Sequence, residues 1–206
     1  MTRGTGDAMT ARPRHAIAIT GGIGSGKTYL CNVLAARGIR IYDCDSAARR
    51  IMQKSDDVRR RLTRLIGSCA YMPSGALDKA AVAKFLLESE GNAKAINAIV
   101  HPAVAEDFLA SGYRWMECPL LFESGFHKLV DVKVCVVAPL ETRVERIMRR
   151  DGITRAKALE WVGRQMEQEE VAARCEHIIV NDGLSPVEPQ ADRLLHILGL
   201  QHKDNT

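Results

Sequence analysis

An eight-residue segment near the start of the chain restricts its possible folds more than any other feature. Residues 21–28 read GGIGSGKT and fit the pattern G-x-x-x-x-G-K-[ST]. The preceding run HAIAIT is apolar and β-branched, which predicts a strand at residues 15–20. The following run YLCNVLAAR has helical spacing over residues 29–37 and ends at Gly38, a residue typical of helix C-termini. A glycine-rich turn between a strand and a helix is the context that a phosphate-binding loop requires.

Each residue type in this loop suits the binding of phosphate groups. Glycines let successive backbone N–H groups turn towards an anion, and the following helix adds the positive end of its dipole. Lys27, which we expect to be exposed in the loop, reaches the β- and γ-phosphates, and the Thr28 hydroxyl binds Mg²⁺. A dinucleotide fingerprint would need glycine where Lys27 stands. The residues predicted to bind ATP here are Gly22, Ile23, Gly24, Ser25, Gly26, Lys27, Thr28 and Tyr29.

Strands and helices alternate along the rest of the chain, which predicts a parallel sheet covered by helices on both faces. The further strands are predicted at residues 39–42, 115–118, 132–137 and 177–180. The further helices are predicted at 46–53, 140–150, 154–173 and 189–198, with a mostly helical stretch at 56–104. We therefore expect an α/β, three-layer P-loop kinase fold with a five-stranded parallel sheet, a helical acceptor-binding insertion and an Arg-rich lid.

The same pattern predicts how the chain is divided. We expect a single domain over residues 15–200, because a chain of 206 residues has the length of one domain with an inserted subdomain. Two helical intervals are too long to be simple crossovers and are expected to form a substrate cap and a lid. The predicted segments are a core at 15–45, 113–140 and 176–200, a helical acceptor domain at 46–110 and a lid at 141–175. Residues 1–14 are expected to form a disordered tail and residues 201–206 a flexible one.

Composition and missing motifs argue against several other classes of protein. No apolar run approaches the roughly 18 residues of a membrane span. A net charge of +4 without any block of like charge argues against a nucleic-acid-binding stripe. Six cysteines without a C-x-x-C pair, in a chain with no secretory leader, indicate reduced thiols and a cytoplasmic protein. The motifs N-K-x-D and D-x-x-G of regulatory GTPases are absent, so a slowly hydrolysing regulator is the less favoured alternative.

Several carboxylates are predicted at the edge of the sheet where parallel strands end and ligands bind. Asp43 and Asp45 end the second strand, which we expect to lie beside the first. Either can take the proton of an attacking hydroxyl or cap the next helix, and Asp45 is the preferred base. Glu117 ends the third strand, where an acid close to Mg²⁺ is expected, and Glu123 is a weaker candidate. Which of Asp43, Asp45 and Glu117 acts directly on Mg²⁺ stays open.

Arginines in the predicted lid are candidates for stabilising the transferred phosphoryl group. Arg143, Arg146 and Arg150 share one helical face by their i, i+3, i+7 spacing. Phosphoryl transfer spreads negative charge over the γ-oxygens, and arginine side chains can neutralise it. The alternative is a solvated basic helix balanced by nearby acids. We assign Arg146 and Arg150 to catalysis, because their helix follows the phosphate loop and precedes the mobile part of the lid.

Seven segments, taken in order, resemble the dephospho-CoA kinase family. They read HAIAITGGIGSGKT, IYDCDSAAR, GALDKAAVAKFLL, INAIVHPAV, ECPLLFESG, RVERIMRRDGITRAKA and IIVNDG. The resemblance extends from about His15 to Leu198, nearly the whole chain. The phosphate loop is generic, whereas the combination of D-x-D, His-Pro, PLLFE and R-x-x-x-R-D is specific to the family.

The resemblance implies an activity that the residue patterns alone leave open. Members of the family use ATP and Mg²⁺ to phosphorylate the ribose 3′-hydroxyl of dephospho-CoA, the final step of coenzyme A synthesis. It implies that Asp45 is the base, that Arg146 and Arg150 are lid arginines, and that Asn181 and Gly183 lie near the adenine. The acceptor-binding residues that it implies are Asp45, His101, Pro119, Leu120 and Glu123. No nucleic acid or membrane partner is expected, and the chain is expected to be a monomer, with an oligomer left open.

Two observations qualify the resemblance. The loop continues Thr28-Tyr29, where Ser-Thr is frequent in the family, although Thr28 keeps the hydroxyl. A nucleoside monophosphate kinase or a shikimate-type kinase would use the same fold. The PLLFE and His-Pro segments argue against both of these rivals.

Overall fold

Five short strands form a parallel sheet in the computed structural model, which describes residues 15–200. They are β1 (Ile17–Thr20), β2 (Ile41–Asp43), β3 (Trp115–Glu117), β4 (Val132–Val137) and β5 (His177–Val180). Their spatial order is β2-β3-β1-β4-β5, and every neighbouring pair is parallel. The predicted α/β fold with a five-stranded parallel sheet is confirmed. The predicted tails at 1–14 and 201–206 lie outside the described residues.

The prediction that the second strand lies beside the first is wrong. β3 separates them, because Trp115 pairs with Ile17 of β1 on one side and with Ile41 of β2 on the other. The burial of the strands explains this order. Trp115 and Met116 are buried, as an interior strand requires, whereas β2 has a half-buried Ile41 and ends in the exposed Asp43, which suit a sheet edge.

Nine helices lie within residues 15–200. They are α1 (Lys27–Ala35), α2 (Cys44–Lys54), α3 (Asp56–Ile66), α4 (Lys79–Glu88), α5 (Glu90–Ser111), α6 (Leu140–Asp151), α7 (Arg155–Gly163), α8 (Gln168–Ala173) and α9 (Val187–Ile197). The single helix predicted at 154–173 is therefore wrong, because α7 ends at Gly163, a poor helix former, and α8 begins only at Gln168. None of the helices described is long and apolar enough to cross a membrane.

The chain divides into two units. The larger unit comprises residues 15–46 and 114–200. Its core packs α1 and α9, which contact each other, against β1 through Ile17, Ile19, Leu30, Leu34 and Leu194. A smaller cluster of Val144, Ile147 and Ala158 joins α6 to α7. All six cysteines are free thiols, as the sequence predicted.

Residues 47–113 form a helical unit. Its helices begin at side-chain caps: the Ser55 hydroxyl accepts from the backbone N–H of Val58, and Asp78 accepts from those of Ala80 and Ala81. Val58, Leu62, Val104 and Phe108 are almost completely buried, which gives this unit an apolar interior. The acceptor-binding function of these helices stays a prediction.

Candidate active site

The glycine-rich loop joins β1 to α1, and two of its glycines are required by the backbone. Gly24 and Gly26 have φ of 78° and 95°, in the left-handed region that side chains disfavour. A Cβ at Gly24 would lie 2.6 Å from the Arg143 carbonyl oxygen, and one at Gly26 would lie 1.9 Å from Asn181 Nδ2. The loop therefore depends on glycine both for its conformation and for the close approach of two distant segments.

Lys27 is buried, which corrects the expectation that it is exposed in the loop. Only 8% of its surface is exposed, and α1 begins at Lys27 itself and not at the predicted Tyr29. Its Nζ donates to the carbonyl oxygens of Gly21 (2.9 Å) and Gly22 (3.3 Å). Burial lowers the pKa of Lys27, while the charges of Glu117 and Asp45 oppose that shift. The ammonium group is thus held inside the loop.

Two arginines of α6 contact the backbone of the loop. Arg143 is 5% exposed, and its Nε donates to the Ile23 carbonyl oxygen (3.0 Å). Arg146 Nη1 donates to the carbonyl oxygens of Gly24 (3.4 Å) and Ser25 (3.4 Å). Arg146 was predicted to act at this site and Arg143 was not, although the spacing places both on the same helical face.

Side chains from two further segments complete the support of the loop. Asn181 donates through Nδ2 to the Ser25 carbonyl oxygen (2.9 Å) and accepts through Oδ1 from Arg146 (3.2 Å). Gln165 Oε1 accepts from the backbone N–H of Ile23 (2.7 Å), a contact for which the sequence held no signal. Asn181 is therefore an anchor of the loop, and its predicted place near the adenine stays a prediction. Gly183 lies in the turn that follows β5.

The two aspartates at the junction of β2 and α2 have different surroundings. Asp43 is the last residue of β2, and its carboxylate accepts from the backbone N–H of Ser46 (3.0 Å) and from the Ser46 hydroxyl (2.6 Å). Asp45 lies in the first turn of α2, where it is exposed and makes no hydrogen bond or ion pair with any residue that the structure describes. Asp43 thus fills the capping role considered for either residue, and the carboxylate of Asp45 stays available to a ligand.

Glu117 brings a third carboxylate to the same edge of the sheet. It lies in register with Asp43 of β2 on one side and with Ile19 of β1 on the other. Burial raises the pKa of Glu117 to about 7, the charge of Lys27 opposes the shift, and Asp43 and Asp45 add to it. The protonation of Glu117 therefore changes close to neutral pH.

This raised pKa leads to a test of stability. The folded state keeps its proton on Glu117 to a higher pH than the unfolded chain, so ionisation lowers the free energy of unfolding as pH rises from 4.5 to about 7. Glu117→Gln removes this pH-dependent decrease in the free energy of unfolding, because glutamine does not ionise. At pH 8, without nucleotide, we expect the variant to be more stable than the wild type by on the order of 2–3 kcal/mol, and equally stable below pH 4.

Urea unfolding of the two proteins across this pH range measures the difference. Glu123→Gln, which removes one carboxylate from the segment that follows β3, serves as the matched control. A stability difference for Glu117→Gln that does not change with pH would contradict the assignment.

The other predicted residues of the larger unit lie in varied surroundings. Thr28 is exposed in the first turn of α1, and the Tyr29 hydroxyl donates to Glu188 of α9 and does not point into the loop. Arg150 is exposed and donates to the adjacent Asp151 (3.0 and 2.8 Å), so this structure does not bring it to the loop. The reason is its position in the last turn of α6, where Asp151 neutralises it.

The segment after β3 and the helical unit hold the residues predicted to bind the acceptor. The Pro119 carbonyl oxygen accepts from the Thr20 hydroxyl (3.5 Å), Leu120 is partly exposed, and Glu123 Oε1 accepts from the backbone N–H of Met166 (3.4 Å). His101 lies within α5 of the helical unit, where burial lowers its pKa. The acceptor-binding roles of these residues stay predictions.

The geometry defines a class of enzyme. A phosphate loop with its lysine turned inwards, supported by arginines from a helix beyond the fourth strand and faced by carboxylates at the strand ends, is the arrangement of a P-loop kinase. Comparison with known proteins then gives the family. The family model described as dephospho-CoA kinase matches residues 15–186, and the chain belongs to this family.

Similar proteins cover nearly the whole chain. The dephospho-CoA kinase of Bacteroides fragilis is 36% identical over 189 residues, which span 88% of this chain and 92% of that protein. A crystal structure of a Thermus thermophilus protein superposes with a TM-score of 0.75 at 30% identity, over 92% of this chain and all of that one. The structure of the dephospho-CoA kinase from Campylobacter jejuni has a TM-score of 0.65 at 18% identity, over 89% of this chain and 96% of that one, and shares the fold.

Proposed function

We propose that this protein transfers the γ-phosphoryl group of ATP to the ribose 3′-hydroxyl of dephospho-CoA, giving coenzyme A and ADP. The observation that carries the proposal is the family match over residues 15–186, which includes the loop, both aspartates after β2 and the arginines of α6. Residue chemistry supports a kinase that acts on a small hydroxyl compound, and the family supplies the identity of that compound.

The loop is suited to hold the phosphates of ATP. Its backbone is fixed by Arg143, Arg146, Gln165 and Asn181, so little reorganisation is needed when the nucleotide binds. The Ser25 hydroxyl is buried and has no hydrogen-bond partner among the residues described, which leaves a donor for a phosphate oxygen. Lys27 provides the positive charge that the β- and γ-phosphates require.

The oxygen donors beside the loop fit Mg²⁺. The Thr28 hydroxyl and the carboxylates of Glu117 and Asp45 are hard ligands of the type that this ion selects. No cluster of three or more His, Cys, Asp or Glu side chains able to hold a metal occurs in residues 15–200, so the proposed site combines few protein ligands with the phosphates. Mg²⁺ supplies charge neutralisation to the β- and γ-phosphates when bound.

Asp45 is suited to accept the proton of the attacking hydroxyl. Its carboxylate lies just beyond the end of β2 and is not occupied by any hydrogen bond with a described residue, in contrast to that of Asp43. Because the acceptor hydroxyl has a high pKa, it must lose its proton as it attacks, and a positioned carboxylate can take it late in a loose transition state.

We also propose a cytoplasmic, monomeric enzyme.

A panel of acceptors tests this function. The full-length protein is incubated with Mg·ATP and, separately, dephospho-CoA, adenosine, AMP and shikimate, and ADP release is measured. We expect turnover with dephospho-CoA alone and a product that carries a 3′-phosphate. Turnover with AMP or shikimate and none with dephospho-CoA would overturn the proposal in favour of another kinase on the same fold.

Arg146 provides a test of the charge-stabilising role. Arg146→Ala removes a guanidinium from the loop, and we expect kcat to fall about 10²-fold, the size of effect known for such donors. Arg150→Ala removes the same group one turn further along α6, and we expect a similar loss if Arg150 also reaches the transferred phosphoryl group. Steady-state kinetics with varied ATP separates the outcomes, because a change confined to the KM for ATP would make these arginines ground-state binders.

A further inference from the structure

The helical unit contains a groove that was not predicted from the sequence. It has a volume of about 490 Å³ and is lined by Asp56, Arg59, Arg60, Thr63, Arg64 and Tyr71. Three arginines against one aspartate give this lining a net formal charge of +2. A groove of this size accepts a ligand larger than a single phosphate ion, and its charge selects an anion.

One wall of the groove is a fixed cation–aromatic pair. The Arg59 guanidinium carbon lies 4.2 Å from the centre of the Tyr71 ring. Arg59 Nη1 donates to the carbonyl oxygens of Gln53 (3.0 Å) and Gly75 (2.7 Å), and the Tyr71 hydroxyl donates to the carbonyl oxygen of Met52 (2.7 Å). Because backbone atoms hold both side chains, this wall is preorganised for a ligand.

The other wall offers hydrogen-bond donors that the protein itself does not saturate. Arg60 and Arg64 are four residues apart on α3, so they lie on the same helical face, with Thr63 beside them. Arg60 is exposed and its ion pair with Asp57 (3.3 Å) is weak for that reason. Arg64 is also exposed and has no carboxylate within 4 Å among the residues described. Two guanidinium groups in this arrangement match two neighbouring phosphates.

We propose that this groove binds a diphosphate group, with Arg60 and Arg64 on its oxygens and the rest of the ligand against Arg59 and Tyr71. The diphosphate has two possible sources. One is the acceptor dephospho-CoA, which carries a diphosphate between its adenosine and pantetheine parts; this source rests on the proposed function. The other is a separate diphosphate ester that binds to the helical unit.

Calorimetric titration with inorganic pyrophosphate tests the groove without any assay of activity. The full-length protein is first saturated with a non-hydrolysable ATP analogue, so that the phosphate loop does not take up the probe. Arg64→Gln is compared with Arg61→Gln, which removes the same charge from an exposed position on α3 outside the groove. We expect Arg64→Gln to weaken pyrophosphate binding about tenfold, as for a lost charge-assisted hydrogen bond, and Arg61→Gln to weaken it less than twofold.

Two results would overturn the proposal: no binding of pyrophosphate to the wild type, or equal weakening in both variants. A second titration identifies the source of the diphosphate. Displacement of pyrophosphate by dephospho-CoA, with a raised KM for dephospho-CoA in Arg64→Gln, identifies the acceptor. Pyrophosphate that stays bound at saturating dephospho-CoA identifies a separate ligand. Because pyrophosphate binding needs no turnover, the groove and the proposed function can fail independently.

Discussion

Replacing Asp45 by Asn is expected to lower turnover by a factor of about 10² to 10⁴, the usual contribution of a positioned acid–base group. The amide keeps the size of the side chain but cannot accept the proton of the acceptor hydroxyl. Asp45 makes no hydrogen bond with a described residue, and Asp43 caps the start of α2, so the free energy of unfolding should change by less than about 0.5 kcal/mol. Steady-state transfer to dephospho-CoA and thermal unfolding measure the two effects.

Asp43→Asn is the matched control, since it makes the same chemical change two residues away. We expect it to keep turnover within about tenfold of the wild type, because its oxygens are committed to Ser46. Binding of ATP and of dephospho-CoA to Asp45→Asn is measured separately. Near-normal turnover would leave Asp43 or Glu117 as the base, and loss of Mg·ATP binding would make Asp45 a residue of the metal site.

Replacing Lys27 by Ala is expected to reduce phosphoryl transfer by about 10³ or more, because the loop loses the charge that we propose for binding the β- and γ-phosphates. The burial of Lys27 determines the effect on stability. Its pKa is lowered in the folded state, so the charged side chain disfavours folding near neutral pH, and this penalty disappears as pH approaches 10.5. We therefore expect the variant to unfold at the same temperature as the wild type or above it at pH 7.

Lys27→Met separates the lost charge from the lost volume, since methionine fills much of the same space. Both variants should be inactive, and the methionine variant should be the more stable of the two. Transfer by coupled assay and unfolding by calorimetry provide the measurements. Unfolded variants, or turnover at the wild-type level, would contradict the assigned role of Lys27.

The elements that the sequence predicted correctly are those set by local patterns. The β1 strand, the glycine loop and the end of α1 before Gly38 follow from residues that are close together in the chain. The position of β3 between β1 and β2 does not follow from nearby residues. It depends on which strand is buried on both faces, and a helical unit of more than sixty residues separates β2 from β3 in the chain. The break between α7 and α8 has a local cause and a non-local one: Gly163 disfavours the helix, and Gln165, just beyond it, binds Ile23 through a contact that no local pattern predicts.

The residues of the candidate site also fall into two groups, those that local patterns predict and those that tertiary packing brings together. The motif is enough to select the glycines, Lys27 and Thr28, and strand ends are enough to select Asp45 and Glu117. The contacts of Arg143 and Asn181 with carbonyl oxygens of the loop join residues 120 and 156 positions apart. The i, i+3 spacing places Arg143 and Arg146 on one helical face, but the contact of that face with the loop results from tertiary packing, which a short-range pattern does not predict.

The anchors of the phosphate loop also affect how the protein emerges from the ribosome. Lys27 is made before all four of the side chains that hold the loop, those of Arg143, Arg146, Gln165 and Asn181. At roughly 5–20 residues per second, synthesis reaches Asn181 some 8–30 s after Lys27. Until Arg143 is made, the nascent chain has the whole nucleotide motif but none of the four side chains that hold it, and the set is complete only with Asn181. A stalled or truncated chain ending before α6 therefore carries the motif without the binding site.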